Sequence, residues 1–233
     1  MELVTTTAGY EMLLRFGHLL AGITWIGLLY YFNFVQGEYF KEADGGAKSD
    51  AIQKLVPRAL WWFRWGAMIT VLTGLGIMGL RGGTGSLDIY IGALLGVIMF
   101  TNVWLIIWPN QKIVIASATQ VANGGQALPE AAGALATAGL ASRTNALFSI
   151  PMLYFMCAST HFPHGFSFFA FLVAALVILA LEYNGAYPAL KHIGALSKLP
   201  PAGKMGPYTS VKGVIHCGLG LTVVLFLIVH FIK

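Results

Sequence analysis

The stretch RFGHLLAGITWIGLLYYFNFVQ, residues 15–36, is hydrophobic enough and long enough to cross a bilayer. It is one of six such runs. A spanning helix needs about 20 predominantly apolar residues, and the runs fall at roughly 10–35, 59–80, 88–108, 143–160, 164–184 and 210–232. The expected fold is therefore all-α: a single membrane domain over residues 1–233, built as a polytopic bundle of about six transmembrane helices. Composition agrees. Charged residues make up 10% of the chain, against about 25% in soluble domains.

Charge is distributed unevenly. Lys41, Lys48, Lys54 and Arg58 lie between the first two runs, Lys112 and Arg143 flank the third connection, and Lys191, Lys198, Lys204 and Lys212 fill the fifth. The other side has mainly Arg15, Arg81 and Lys233. The positive-inside bias then places connections one, three and five in the cytoplasm and both termini outside. The net charge of +5 reads as membrane topology, with the lipid bilayer as partner and no nucleic acid. The first run has Glu11 and Arg15 near its start and no small-residue cleavage site, so it reads as a retained helix.

Residues 111–142 form the longest non-spanning stretch, an alanine-rich cytoplasmic connection that "NGG" and Pro129 divide into short helices. Pro109 is expected to stop the third spanning helix, and Ser142 to cap the fourth, with Arg143 at headgroup level. Cys157 and Cys217 read as unbridged packing residues. No CxxCH is present for covalent haem attachment.

Polar residues inside the runs carry the chemistry. An ionisable side chain in a spanning helix costs a few kcal/mol and usually faces the bundle interior. At about 100° per residue, Arg15, His18, Gly22, Trp25 and Asn33 fall on one stripe. His216 and His230 are fourteen residues apart, which returns to nearly the same face about 21 Å along the axis. That spacing resembles the haem-ligating histidines of membrane cytochromes b. An outer haem with two imidazoles from His18, His161 and His230 is one possibility, with His216 serving an inner one. Hydrogen-bonded packing histidines, or a copper or zinc site near the outer surface, are alternatives. His164, beside Pro163, reads as a solvated loop residue.

Taken together, "RFGHLLAGITWIGLLYYFNFVQ", "WFRWGAMITVLTG", "IWPNQK", "SRTNALFSIPMLYFMCASTHFP" and "VKGVIHCGLGLT" resemble the membrane domain of the bacterial integral-membrane urate oxidase (urate hydroxylase) family. A fainter likeness, a histidine with a tryptophan seven residues on, links His18 and Trp25 to the membrane protoporphyrinogen oxidases. The urate oxidase resemblance implies a multi-pass protein of the bacterial inner membrane that oxidises urate and passes electrons to cytochrome c. The family's C-terminal cytochrome c domain has no counterpart in these residues, so the expected acceptor is a separate periplasmic cytochrome c or another membrane redox subunit. A planar anion such as urate calls for a cation, an amide and an aromatic face. Arg15 and Trp25 offer a cation and an aromatic face toward the outer side, and Arg64, Trp65 and Arg143 toward the inner side, with Asn33 and Asn102 as candidate amides. The expected cofactor is haem b, in unspecified number, with His18, His161, His216 and His230 as the candidate iron ligands. The alternative is a haem-b electron-carrying or assembly subunit of a larger membrane oxidoreductase, without urate activity of its own.

Overall fold

A computed structural model describes residues 2–232. Lys233, counted above among the outer charges, lies outside the described residues. Six long helices account for most of the chain: α1 (Thr7–Glu42), α2 (Gly45–Leu80), α3 (Leu87–Ala122), α4 (Ala131–His161), α5 (Phe168–Leu190) and α6 (Val211–Phe231). No strand occurs among the described residues. Side-chain caps set several starts. Thr6, Ser86, Ser167 and Ser210 each accept a hydrogen bond from a backbone N–H of the first turn of α1, α3, α5 and α6 respectively.

The first three helices are longer than their apolar runs. Each has 36 residues and so measures about 54 Å, against about 30 Å of hydrocarbon in a bilayer. Each contains one π-turn, at Tyr31–Gln36, Ala51–Leu55 and Asn102–Ile107. Within these turns an N–H reaches back five residues: Gly37 to Phe32 O, Val56 to Ala51 O and Trp108 to Val103 O. All three lie toward the end of the bundle away from the start of α1.

The π-turns explain why two prolines fail to end helices. Pro109 does not stop α3, which continues to Ala122, so residues 111–122 belong to that helix and not to a separate connection. Pro109 and Pro57 each stand two residues beyond a π-turn. A proline ring normally clashes with the carbonyl four residues back and leaves it unbonded. Here those carbonyls, of Leu105 and Gln53, lie inside the widened turn. Ser142 is likewise no cap. α4 begins at Ala131, and Ser142 sits within it, its hydroxyl accepting a hydrogen bond from Asn33 Nδ2 at 2.8 Å.

Five helices, all but α4, are long and apolar enough to cross a membrane. α4 differs because of its position. It packs against α3, α5 and α6 and touches α1, and it has buried residues along its length from Ala134 to Ala158, continuous from Thr144 to Ser149. A helix wrapped by its neighbours does not need an apolar circumference, and α4 carries Ser142, Arg143, Thr144, Asn145 and Ser149 into the interior.

α1 and α2 form a closely packed pair. A Cβ at Gly66 would meet Trp25 N at 3.2 Å and Ala21 O at 3.3 Å, so only glycine lets the backbones approach this closely. α3 to α6 form the second group, in which a Cβ at Gly218 of α6 would lie 2.9 Å from Leu147 O of α4. The two groups meet fully at the end rich in lysine (the basic end). They stand apart toward the end where α1 begins and α6 finishes (the terminal end).

Candidate functional site

The gap between the two groups is a cleft of about 480 Å³ lined by residues of α1, α2, α3 and α4. Its walls are mostly apolar. His18 and Trp25 of α1 line it, and Arg15 and Arg81 join the lining toward the terminal end. Glu11 Oε1 accepts from Arg15 Nη2 at 2.7 Å and lies 2.8 Å from Arg81 Nη2, holding both guanidinium groups together. The volume falls within the range of cofactor and small-molecule sites.

The tautomer of His18 follows from its neighbours. Thr73 donates its hydroxyl proton to a helix carbonyl, with Ile69 O at 2.6 Å and Thr70 O at 3.0 Å. Its oxygen can therefore only accept from His18 Nδ1, 3.1 Å away. With Nδ1 carrying the proton, Nε2 keeps its lone pair; the Thr70 carbonyl also hydrogen-bonds the ring. This is the arrangement that fixes a metal-binding imidazole from behind. A Cβ at Gly74 would lie 3.1 Å from His18 Cε1, so the glycine makes room for the ring. Trp25 is almost wholly enclosed, and its Nε1 has no hydrogen-bond partner.

The other predicted histidines lie elsewhere. His161, His216 and His230 are exposed on the bundle surface, and none of them lines the cleft. Met12, Met78, Met152 and Met156 do line it. Among the described residues no group of three or more His, Cys, Asp and Glu side chains forms a metal site. His164, expected to be solvated, is instead half-buried: its Nδ1 lies 3.0 Å from Oδ1 of the fully buried Asp88.

Toward the basic end the interior is polar. Asn33, in the π-turn of α1, donates to Leu29 O and to Ser142 Oγ, both at 2.8 Å. Asn102 opens the π-turn of α3 and donates to Asn145 Oδ1 at 2.9 Å and to Glu182 Oε2 at 3.0 Å. Asn145 in turn donates to Met99 O at 2.9 Å, so three helices are tied at one level. Sequence reasoning noted Asn102 but missed Asn145 and Glu182. The signal was available, because each is a polar residue inside a run of apolar ones.

Arg64 is the side chain left over in this half. Its guanidinium carbon lies over the ring of Trp108, 4.0 Å from the ring centre, and 5.8 Å from that of Trp104. No carboxylate pairs with it among the described residues. Arg64 Nε and Trp104 Nε1 are both buried without hydrogen-bond partners. Arg143 is better compensated: Glu38 Oε1 lies 3.9 Å from its Nη2, although Nη1 has no partner. A buried N–H donor lacking an acceptor is costly, and two such donors beside an indole face suit a flat anion rich in carbonyl oxygens.

The structure thus brings His18, Trp25 and Arg15 to one cleft. It places Asn33 and Arg143 together near the basic end, and Arg64 in a separate aromatic niche. A family model described as urate oxidase N-terminal matches residues 83–206, more than half of the chain. The matched region runs from the start of α3 through α5 and includes Asn102, Trp104, Arg143 and Glu182, while His18 and Arg64 lie outside it. No curated protein and no solved structure matches the chain significantly. With all of α3, α4 and α5 inside the matched span, the chain belongs to the urate oxidase N-terminal family.

Proposed function

We propose that this chain is a multi-pass redox protein of the bacterial inner membrane that oxidises urate and delivers the electrons to a separate cytochrome c. The observation that carries the substrate assignment is Arg64: a half-buried side chain whose guanidinium sits over Trp108, with no carboxylate pairing it among the described residues and with its Nε and Trp104 Nε1 buried and unsatisfied. Urate is planar, anionic at neutral pH and edged with carbonyl oxygens. It would offer Arg64 its charge, and the two N–H groups their acceptors. Oxidation removes two electrons from the purine, and the acceptor takes them one at a time.

Haem b would supply the one-electron chemistry, and the cleft fits it. His18 presents Nε2 because Thr73 occupies Nδ1, and Gly74 leaves space beside the ring. Arg15 and Arg81 are placed to meet the two carboxylates of a porphyrin. Among the described residues the cleft holds no second imidazole, and Met12, Met78, Met152 or Met156 would supply the other iron ligand, a thioether being an accepted partner of histidine on haem iron. The chain's own part is to orient the imidazole, neutralise the carboxylates and keep water from the apolar walls. Trp25 lies two helical turns along α1 from His18, with its backbone against Gly66, two residues from Arg64.

The second reading is a haem-b electron carrier without urate activity. The His18 cleft favours it, because it is complete without any contribution from Arg64. One preparation separates the two. Reduced-minus-oxidised spectra should show haem b α and Soret bands, and urate with soluble cytochrome c should give steady cytochrome reduction. Bands without urate-dependent reduction would leave only the carrier; absence of the bands after haem-replete expression would sink both.

A further inference from the structure

We propose that Asp88, His164 and His230 form a second metal site at the terminal end, binding a divalent late first-row ion such as zinc through His164 Nε2 and His230 Nδ1. The site is separate from the cleft and rests on different residues. Asp88 lies in the first turn of α3, whose N-terminal amides favour its negative charge. It is fully buried and holds His164 twice. Its Oδ2 accepts from the His164 backbone N–H at 2.7 Å, and its Oδ1 lies 3.0 Å from Nδ1. Leu87 N–H donates to His164 O at 3.1 Å and closes the clasp. The carboxylate accepts a hydrogen bond from Nδ1–H, which leaves the lone pair on Nε2. This is the carboxylate–histidine backing that recurs behind metal-bound imidazoles, where it fixes ring orientation and raises basicity.

His230, at the end of α6, then points its Nδ1 at that lone pair from 3.4 Å. The distance is long for an N–H···N hydrogen bond, since good ones lie at about 2.7–3.2 Å. It matches another geometry. Two nitrogens bound to one tetrahedral ion at about 2.0–2.1 Å are separated by about 3.3–3.4 Å. The two rings are perpendicular, with centroids 5.7 Å apart, so neither blocks the other. Phe226 stacks on His230 at 5.4 Å and also contacts His164, holding both rings in place. Two protein ligands with water in the remaining positions make an exchangeable site. It would staple α6 to the start of α3 and to the α4–α5 turn.

The test is zinc titration of the full-length, chelator-treated protein in detergent by calorimetry, with nitrogen hyperfine splitting in the spectrum of bound copper(II) as a second readout. One ion per chain is expected, with splitting from two nitrogens. His230→Ala should abolish binding; the residue is exposed, so the fold survives. Asp88→Asn should weaken binding by about tenfold through loss of ring orientation, and His216→Ala should leave it unchanged. Zinc binding no tighter than in the His230→Ala variant, or copper coupled to a single nitrogen, would overturn the proposal.

Discussion

The two halves of the bundle are built by opposite means. Toward the basic end, side-chain hydrogen bonds cross between helices at several levels: Asn33 to Ser142, Tyr30 with Ser149, and Asn102 to both Asn145 and Glu182. Toward the terminal end, no side-chain hydrogen bond joins α1 or α2 to α3 or α4 among the described residues, and there the cleft opens. Apolar side chains gain little by leaving lipid for one another, so helices in a membrane close up where small residues or polar bonds draw them together. The half that is bonded across is closed, and the half that is only apolar leaves room for a ligand.

The sharpest way to break this comparison is Asn102→Leu. It strips a donor from both Asn145 Oδ1 and the Glu182 carboxylate, so a loss of about 3 kcal/mol or more is expected in reversible detergent unfolding. Unchanged stability would mean that the polar layer does not hold the basic half together. His18→Ala should do the reverse, abolishing the haem α band while costing no more than about 1 kcal/mol, because the ring borders an open cleft. Coupled loss of spectrum and fold would erase the distinction between the halves. Gly74→Val sharpens it further: the added side chain starts 3.1 Å from His18 Cε1, and haem content should fall by at least half with the helical content retained in circular dichroism.

Smaller effects test the Arg64 niche and the loop before α6. Arg64→Lys keeps the charge but loses the flat face on Trp108. KM for urate should rise about tenfold, near 1.4 kcal/mol of binding, with kcat less affected. The smallest effect concerns Tyr208, in the loop before α6. Burial, with added repulsion from Cys217 and Glu182, raises its hydroxyl pKa above the ordinary value of 10.0. A pKa higher in the folded protein than in the unfolded chain gives stability that is complete below about pH 10 and lost as pH climbs through the raised value. Tyr208→Phe should therefore flatten the alkaline limb of a stability–pH curve.

Much of the fold was legible because lipid leaves so few options. Run length and low charge imply a helical bundle, and Arg15, His18 and Trp25 share one stripe simply because they share a helical period. The misplaced boundaries have a common cause. Pro109 and Ser142 carry strong local signals for stopping and capping, but the π-turns absorb the proline and Asn33 takes the serine. A π-turn has no compositional signature, so periodicity alone could not reveal it. The histidines show the same limit. His216 and His230 align on one face of α6, yet that face is exposed, and spacing says nothing about which side of a helix its neighbours will cover.

The sequence by itself determined that the chain is helical, how many long helices it has and which residues ride together on each, because those follow from bonds within a segment. Only the tertiary structure decided that α4 is the enclosed helix, that His18 borders a cleft while His216 and His230 do not, that Arg64 sits over Trp108 with no carboxylate pairing it among the described residues, and that Asp88 stands behind His164. Those are relations between segments far apart in the chain. They depend on which faces meet, and in a uniformly apolar bundle a few glycines and polar bonds make that choice.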